Sequence, residues 1–319
     1  MKILLVAEEA AGVQALRAIA QSGHQVVAVM TAAVDEPSRP LAVLDAAAQL
    51  GCTTWPARWV KDPAFAARVR EEGVDLLLNV HSLYLIQEGV LAAPRLGSFN
   101  MHPGPLPQYA GLNVVSWALY HGETRHAVTI HRIVPRVDAG PIAYQAWFDV
   151  GEEDTALTVS VKCVKAGVSL LVELLKTAAS EPAAIPAIAQ DLTQRRYFGK
   201  DVPAGGWIVW SRSARDIANF VRACDYLPFH SPWGHARGRL DGREVPILNA
   251  TPLDELTTAP PGTIGERFGQ GNKVAAGDRW VAVQRLFCEG QPQDAAKHLR
   301  PGQRFEDVRE GNGDGRAHG

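Results

Sequence analysis

The chain has 319 residues, room for one large domain or two. Hydrophobic residues make up 46% and charged residues 21%, an ordinary globular composition, and no apolar run approaches the ~20 residues that span a bilayer. A formal net charge of -2 removes any global attraction to nucleic acid or anionic membrane, and four scattered cysteines without a Cys-x-x-Cys pair argue against a zinc or disulfide framework and for a reducing, cytoplasmic setting.

The first half alternates strand and helix. Lys2–Ala7 is a short apolar run that predicts a buried strand, followed by a helix over Gly12–Gln21 with Val13, Leu16 and Ile19 on one side. Gln25–Thr31 predicts a second strand and Leu41–Leu50 a second helix. Cys52–Trp55 fits a short strand, Pro63–Arg70 a helix and Leu76–Val80 a central strand. Ile86–Ala92 fits a short helix and Gly97–His102 a strand. This alternation predicts an α/β fold with a doubly wound, mostly parallel sheet. Ala127–Val134 and Ile142–Val150 then read as strands around the turn Val137-Asp138-Ala139-Gly140, and Asp154 or Thr155 can cap a long helix ending near Ala178. Residues 1–180 would form this domain. Residues 181–206, rich in Pro, Gly, Ala and charge, read as a surface linker. Residues 207–308 hold a helix over Ala214–Ala223 with Ser213 as N-cap, then short strands at Val245–Ala250, Thr263–Glu266, Lys273–Ala276 and Trp280–Arg285. That pattern predicts a smaller, β-rich, OB-like barrel domain. The tail 309–319 has almost no apolar residues and is expected to be disordered.

Polar residues stand out at two places. Asn100 and His102, two apart on a strand, project an amide and an imidazole from one face. Pro103 ends that strand, and Gly104-Pro105-Leu106-Pro107 stiffens the loop beyond it. In open α/β sheets, sites form beyond the carboxyl ends of strands. Taken singly, such a pair fits a turn cap as well as a catalytic site, Asp138 fits a turn, and His131 fits a structural strand histidine. The ten histidines show no metal-ligand spacing, and the turn Ala7–Gly12 has no Gly-x-Gly-x-x-Gly to admit a dinucleotide.

Together these features resemble the folate-dependent formyltransferase family. Its Asn-x-His-Pro-x-x-Leu-Pro resembles Asn100–Pro107; its Gly-Val-Thr-x-His and Val-Asp-x-Gly-x-Ile resemble Ala127–His131 and Val137–Ile142. Phe220–Ala223, Pro261–Ile264, Gly277-Asp278 and Leu299–Gly302 resemble the C-terminal domain of its two-domain members, the methionyl-tRNA and sugar N-formyltransferases. The resemblance implies a catalytic trio of Asn100, His102 and Asp138, a 10-formyltetrahydrofolate co-substrate and no metal. It places the folate against Leu83, Leu85, Ile86, His131, Val137 and Gly140, although Leu83, Leu85 and Ile86 fit core packing equally well. Asn100 would donate to the oxyanion, and either His102 or Asp138 would be the net base. Pro105, Tyr109 and Asn113 would line the acceptor pocket. The chain departs from the family at Ser82-Leu83-Tyr84, where an aromatic-Gly pair is usual, and at Gly104-Pro105, where Ser-Leu is common.

Charge bears on the acceptor. The tRNA enzymes carry a basic insertion after the second strand, whereas residues 31–51 hold Arg39 against Asp35, Glu36 and Asp45. Residues 205–308 hold 13 Lys and Arg and 12 Asp and Glu, too balanced for an RNA-binding field. A small-molecule amine is therefore expected: an amino sugar nucleotide, or an amino acid or natural-product precursor. Nucleic acid and membrane partners are not. A methionyl-tRNA formyltransferase, a formyltetrahydrofolate hydrolase and a silent folate-binding module are the alternatives. Arg195–Lys200 reads as an acceptor contact or as solvated linker. Sequence does not separate an exposed apolar face from a subunit interface, so the oligomeric state stays open.

Overall fold

The computed structural model describes residues 1–32 and 42–307; part of the acidic stretch after the second strand, and the tail 309–319, lie outside them. The chain forms two compact units. The first comprises the described residues of 1–111, 126–148 and 161–196, the second those of 112–125, 149–160 and 197 onward. Among the described residues no helix is long and apolar enough to cross a membrane, and Cys52, Cys163, Cys224 and Cys288 are all free thiols.

In the first unit, β1 (Lys2–Ala7), β2 (Gln25–Thr31), β3 (Thr54–Pro56), β4 (Leu76–Val80) and β5 (Gly97–His102) are joined by α1 (Glu9–Gln21), α2 (Ala42–Gln49), α3 (Phe65–Glu71) and α4 (Glu88–Leu91). A two-residue β6 (Ala110–Gly111), β7 (Arg125–Arg132) and β8 (Ile142–Asp149) follow. The main sheet runs β3-β2-β1-β4-β5-β7-β8. β1 lies parallel to β2 and β4, β3 to β2, and β5 to β4, while β7 turns antiparallel to β5. The order reverses at β1, so the connections diverge between β1 and β4, where such sheets open a crevice at their carboxyl ends.

Alternation along the strands builds two cores. Ile3, Leu5, Leu76, Leu78, Phe99 and Met101 face α1, α2 and residues 171–178 of the long α6 (Ala156–Ser180). Leu4, Val6, Leu77 and Val74 face Phe65, Ala66 and Val69 of α3. Each such side chain contributes about 1.5–3 kcal/mol on full burial. α1 begins three residues earlier than the apolar pattern predicts, because Gly12 lets its first turn lie against β1. A Cβ there would sit 2.9 Å from the Ala7 Cβ and 3.1 Å from Val43. Residues 182–196, which sequence reads as linker, belong to the first unit, and Ile188 bridges Ile142 of β8.

In the second unit, α5 (Val114–Tyr120), β9 (Tyr197–Phe198) and α7 (Ala214–Ala223) accompany an antiparallel sheet. The Ser213 Oγ accepts from the Asp216 N–H at 3.1 Å, the expected cap. The sheet orders β10 (Ala236–Leu240), β11 (Arg243–Leu256), β14 (Arg279–Cys288), β13 (Gly271–Ala275) and β12 (Ile264–Phe268), with β15 (Gln291–Asp294) beside β14. The segment 303–306 links the two edge strands. The Glu306 N–H donates to the Arg239 carbonyl and the Ile264 N–H to the Gln303 carbonyl, which closes the sheet around Phe305, fully buried and stacked on Trp210.

Candidate active site

Toward the carboxyl ends of β4 and β5, the face that buries Leu4, Val6 and Leu77 turns polar. Register lines up Asn79 with Asn100 across the parallel pair, and Asn100 with His131 across the antiparallel one. The three side chains bond in that order. The Asn79 Nδ2 donates to the Asn100 Oδ1 at 2.9 Å, and the Asn100 Nδ2 to the His131 Nε2 at 3.2 Å. The His131 Nδ1 faces the Arg132 carbonyl at 2.8 Å, which can only accept. In the neutral ring this fixes the proton on Nδ1 and the lone pair on Nε2.

Asp138 reaches this row from the turn between β7 and β8. It has φ 52°, the left-handed region that few non-glycine residues occupy. Gly140 permits the turn to close on β7, since a Cβ there would overlap the Arg132 carbonyl oxygen. The Asp138 carboxylate is 8% exposed and takes four contacts. Oδ2 accepts from the Gly111 N–H at 2.9 Å and lies 3.6 Å from the His102 Nδ1. Oδ1 accepts from the Asn100 Nδ2 at 3.4 Å and lies 3.4 Å from the His131 Nε2.

His102, 3% exposed, places its Nε2 2.6 Å from the Tyr109 carbonyl. That carbonyl can only accept, so the neutral ring carries its proton on Nε2 and turns the Nδ1 lone pair toward Asp138. Burial lowers the His102 pKa, outweighing the raising effects of Asp138 and the Tyr109 carbonyl. Burial acts to raise the Asp138 pKa, but His102 and His131 in their charged forms, together with the Gly111 N–H, override it and hold the carboxyl well below the usual range. Both directions favour a carboxylate facing a neutral imidazole. A proton arriving at the His102 Nδ1 meets a buried negative charge.

The other expected site residues scatter. Leu83 and Leu85 are 60% and 69% exposed, not core, while Ile86 packs partly against the α3 side of the sheet. Val137 offers its carbonyl to Arg195. Tyr109 and Pro105 are buried; the part of Tyr109 that reaches the site is its carbonyl, while its ring packs edge-on against His126. Asn113 belongs to the second unit, where it precedes α5 with φ 54° and makes no side-chain cap. Among the described residues no group of three His, Cys, Asp or Glu could hold a metal.

Sequence reasoning missed Asn79, His126 and Gln190, and it read Arg195 as an acceptor contact or solvated linker rather than as a partner of the Asp138 turn. Asn79 had a signal, as the one polar residue of Leu76–Val80. His126 donates from Nε2 to the Pro103 carbonyl at 2.8 Å, bracing the residue after His102. Gln190 and Arg195 bond the carbonyls of the Asp138 turn from the segment read as linker.

The family model described as formyl transferase matches residues 1–175, and that described as formyl transferase, C-terminal domain, matches residues 202–301. Solved structures share the fold. An N-formyltransferase from Helicobacter canadensis, in complex with folinic acid and dTDP-3-aminofucose, is 16% identical, with 89% of this chain and 99% of that one covered at a TM-score of 0.67. WlaRD, a sugar 3N-formyl transferase, is 18% identical over 89% of this chain and 97% of its own, TM-score 0.67. HypX from Aquifex aeolicus, in complex with tetrahydrofolic acid, is 18% identical over 93% of this chain and 46% of its own, TM-score 0.62. With the first model covering more than half its length around Asn100, His102 and Asp138, the chain belongs to the formyl transferase family.

Proposed function

We propose that this protein moves a formyl group from 10-formyltetrahydrofolate to the amine of a small molecule, an amino sugar nucleotide or an amino acid or natural-product precursor. The observation that carries the reading is geometric: the His102 Nδ1 lies 3.6 Å from the Asp138 carboxylate, which also accepts from the Asn100 amide at 3.4 Å. Features of the first unit suit a folate. Leu83 and Leu85 offer exposed apolar surface just past β4, and the buried Asn79 Oδ1 and His81 Nε2 have no hydrogen-bond partner. A flat heterocycle with polar edges answers both. The folate supplies an activated formyl carbon; the rest is done by side chains.

As the amine nitrogen bonds to that carbon, negative charge gathers on the formyl oxygen. The Asn100 Nδ2 is the donor for it. Its present contacts, 3.2 Å to His131 and 3.4 Å to Asp138, are long and readily exchanged for a charged acceptor. Such a contact contributes roughly 3–4 kcal/mol to the transition state. The His102 Nδ1 takes the amine proton, with Asp138 as counter-ion, so His102 is the base and Asp138 its stabiliser. The proton then goes to the folate nitrogen as its bond to the formyl carbon breaks, which balances the reaction. The balanced charge of residues 205–308 favours a small acceptor over RNA.

The test is a screen of amines with 10-formyltetrahydrofolate carrying a labelled formyl group. Label on a small amine supports the reading. Free formate without product would make the protein a hydrolase, rapid formylation of charged initiator tRNA would move the acceptor to RNA, and intact donor with every amine would refute formyl transfer.

A further inference from the structure

The turn that carries Asp138 is held from outside. The carbonyls of Val137, Asp138 and Gly140 each accept a hydrogen bond from a side chain of residues 190–195. The Gln190 Nε2 donates to the Asp138 carbonyl at 3.0 Å and to the Gly140 carbonyl at 2.6 Å. The Arg195 Nη2 donates to the Val137 carbonyl at 2.9 Å. The donors are anchored in turn. Ile188 exchanges both backbone hydrogen bonds with Ile142, two residues past Gly140. The Arg196 carbonyl accepts from the Ala110 N–H, next to the Gly111 that bonds Asp138.

We propose that Gln190 and Arg195 are positioning residues that aim the Asp138 carboxylate at His102; the inference rests on the formyl-transfer reading only in taking Asp138 as part of the catalytic trio. The reason is geometric. A residue's Cα–Cβ direction is set by the two peptide planes that flank it. Arg195 holds the plane before Asp138 by its Val137 oxygen, and Gln190 holds the plane after it by the Asp138 oxygen. Both planes need holding, because φ 52° is a conformation that an aspartate leaves readily when free. Gln190 suits the task because its amide nitrogen carries two donors, one for each carbonyl. A relaxed turn would swing the carboxylate off the Gly111 N–H and away from the His102 Nδ1, now 3.6 Å distant. Misplacement on the scale of 1 Å is enough to lower a rate by about 10²-fold. Segment 190–195 is then part of the active site through its hold on the carbonyls of the Asp138 turn.

The experiment follows the ring nitrogens of His102 and His131 by NMR in ¹⁵N-histidine protein, which needs neither substrate. The charged or titrating groups acting on His102 are Asp138, His131 and His81, with His126 close by. Gln190→Met keeps the length and removes both donors; Arg195→Met removes the other; Arg195→Lys keeps a cation that can still donate. Asp138→Asn defines the signal of a lost carboxylate. Gln190→Met and Arg195→Met are expected to move the His102 titration downward, in the direction of Asp138→Asn, and to leave His235 of the second unit unmoved. Arg195→Lys should restore most of the shift. Once an acceptor is known, kcat should fall about 10- to 100-fold with KM for both substrates within about twofold. Wild-type His102 and His131 titrations in a folded Gln190→Met protein would overturn the proposal. If that variant does not fold, Arg195→Met decides in the same way. A kcat loss with unmoved histidines would likewise overturn it, whichever reaction the protein catalyses.

Discussion

His126 gives the sharpest test of the electrostatics beneath the site. It is fully buried, its Nε2–H donates to the Pro103 carbonyl, and its ring meets Tyr109 and Phe148 edge-on at centroid distances of 5.9 and 6.0 Å. Its Nδ1 is buried without a partner, so a second proton would arrive where nothing accepts it. Burial accordingly lowers its pKa from 6.5 to about 4, against the raising effect of the Pro103 carbonyl. The folded state therefore binds fewer protons than the unfolded state between these values, and stability must fall as pH falls through that window. At 1.36 kcal/mol per unit, the loss is about 2 kcal/mol at pH 5 and approaches about 3 kcal/mol near pH 4, relative to pH 8. His126→Phe keeps the aromatic packing and removes the titration. At pH 8 it should cost about 1 kcal/mol, for the lost hydrogen bond to Pro103. Urea denaturation followed by circular dichroism at half-unit steps from pH 8 to 4.5 gives both curves. His102 and Asp138 titrate in both proteins and cancel in the difference. The gap should close near pH 6 and reverse below it, leaving the variant the more stable at pH 5. Parallel curves down to pH 4.5 would refute the reasoning, because they would mean that His126 charges as freely in the folded chain as in the unfolded one.

Other changes probe the site and its scaffold. Asp138→Asn leaves a proton on His102 without a counter-ion; kcat/KM for formyl transfer should fall about 10²–10⁴-fold, and the acidic limb of its pH profile, already below 6.5 in the parent because burial lowers the His102 pKa, should move lower still. Asn100→Ala removes the proposed oxyanion donor and should lower kcat about 10²–10³-fold, with the apparent affinity for the folate nearly unchanged. Gly140→Ala forces a Cβ into the Arg132 carbonyl and should cost about 1–3 kcal/mol in a denaturant melt, together with most of the activity. Ser213→Ala removes the α7 cap and should cost about 1 kcal/mol of stability, with formyl-transfer kinetics unchanged at a temperature where the variant is folded.

What could be read in advance follows from what leaves a periodic trace. The strands Lys2–Ala7, Gln25–Thr31 and Leu76–Val80 have the bounds the apolar runs predict, because strands buried on both faces must be nearly continuous in hydrophobic residues, and Gly97–His102 has the bounds that its alternation up to Pro103 predicts. Ala236–Leu240 and Gln291–Asp294 were not legible. One alternates Ala, Gly and Leu with arginines and the other, Gln-Pro-Gln-Asp, has no residue that favours a strand, so backbone pairing defines them. Strand direction is equally silent: nothing in Ala127–Val134 says that β7 runs antiparallel to β5. Yet that reversal sets Asn100 opposite His131.

The same distinction divides the candidate site. Asn100, His102 and Asp138 stand in a spaced motif, as the proposed reaction asks, each presenting a particular group to one centre. Asn79 could have joined them, since an amide at the fourth place of Leu-Leu-Leu-Asn-Val shares the face of Leu77 and needs a partner when that face is covered. Gln190 and Arg195 obey no such rule. A side chain that bonds a backbone carbonyl asks only for a donor within reach, and every residue of the turn offers the same oxygen. The composition around them, Pro, Ala and charge, is that of a solvated strap, and half of each pair is invisible in the sequence because it is main chain. The residues that aim a catalytic group by its peptide planes are therefore the ones a sequence hides best, and they are to be sought among donors facing the carbonyls of a strained turn such as Val137–Gly140.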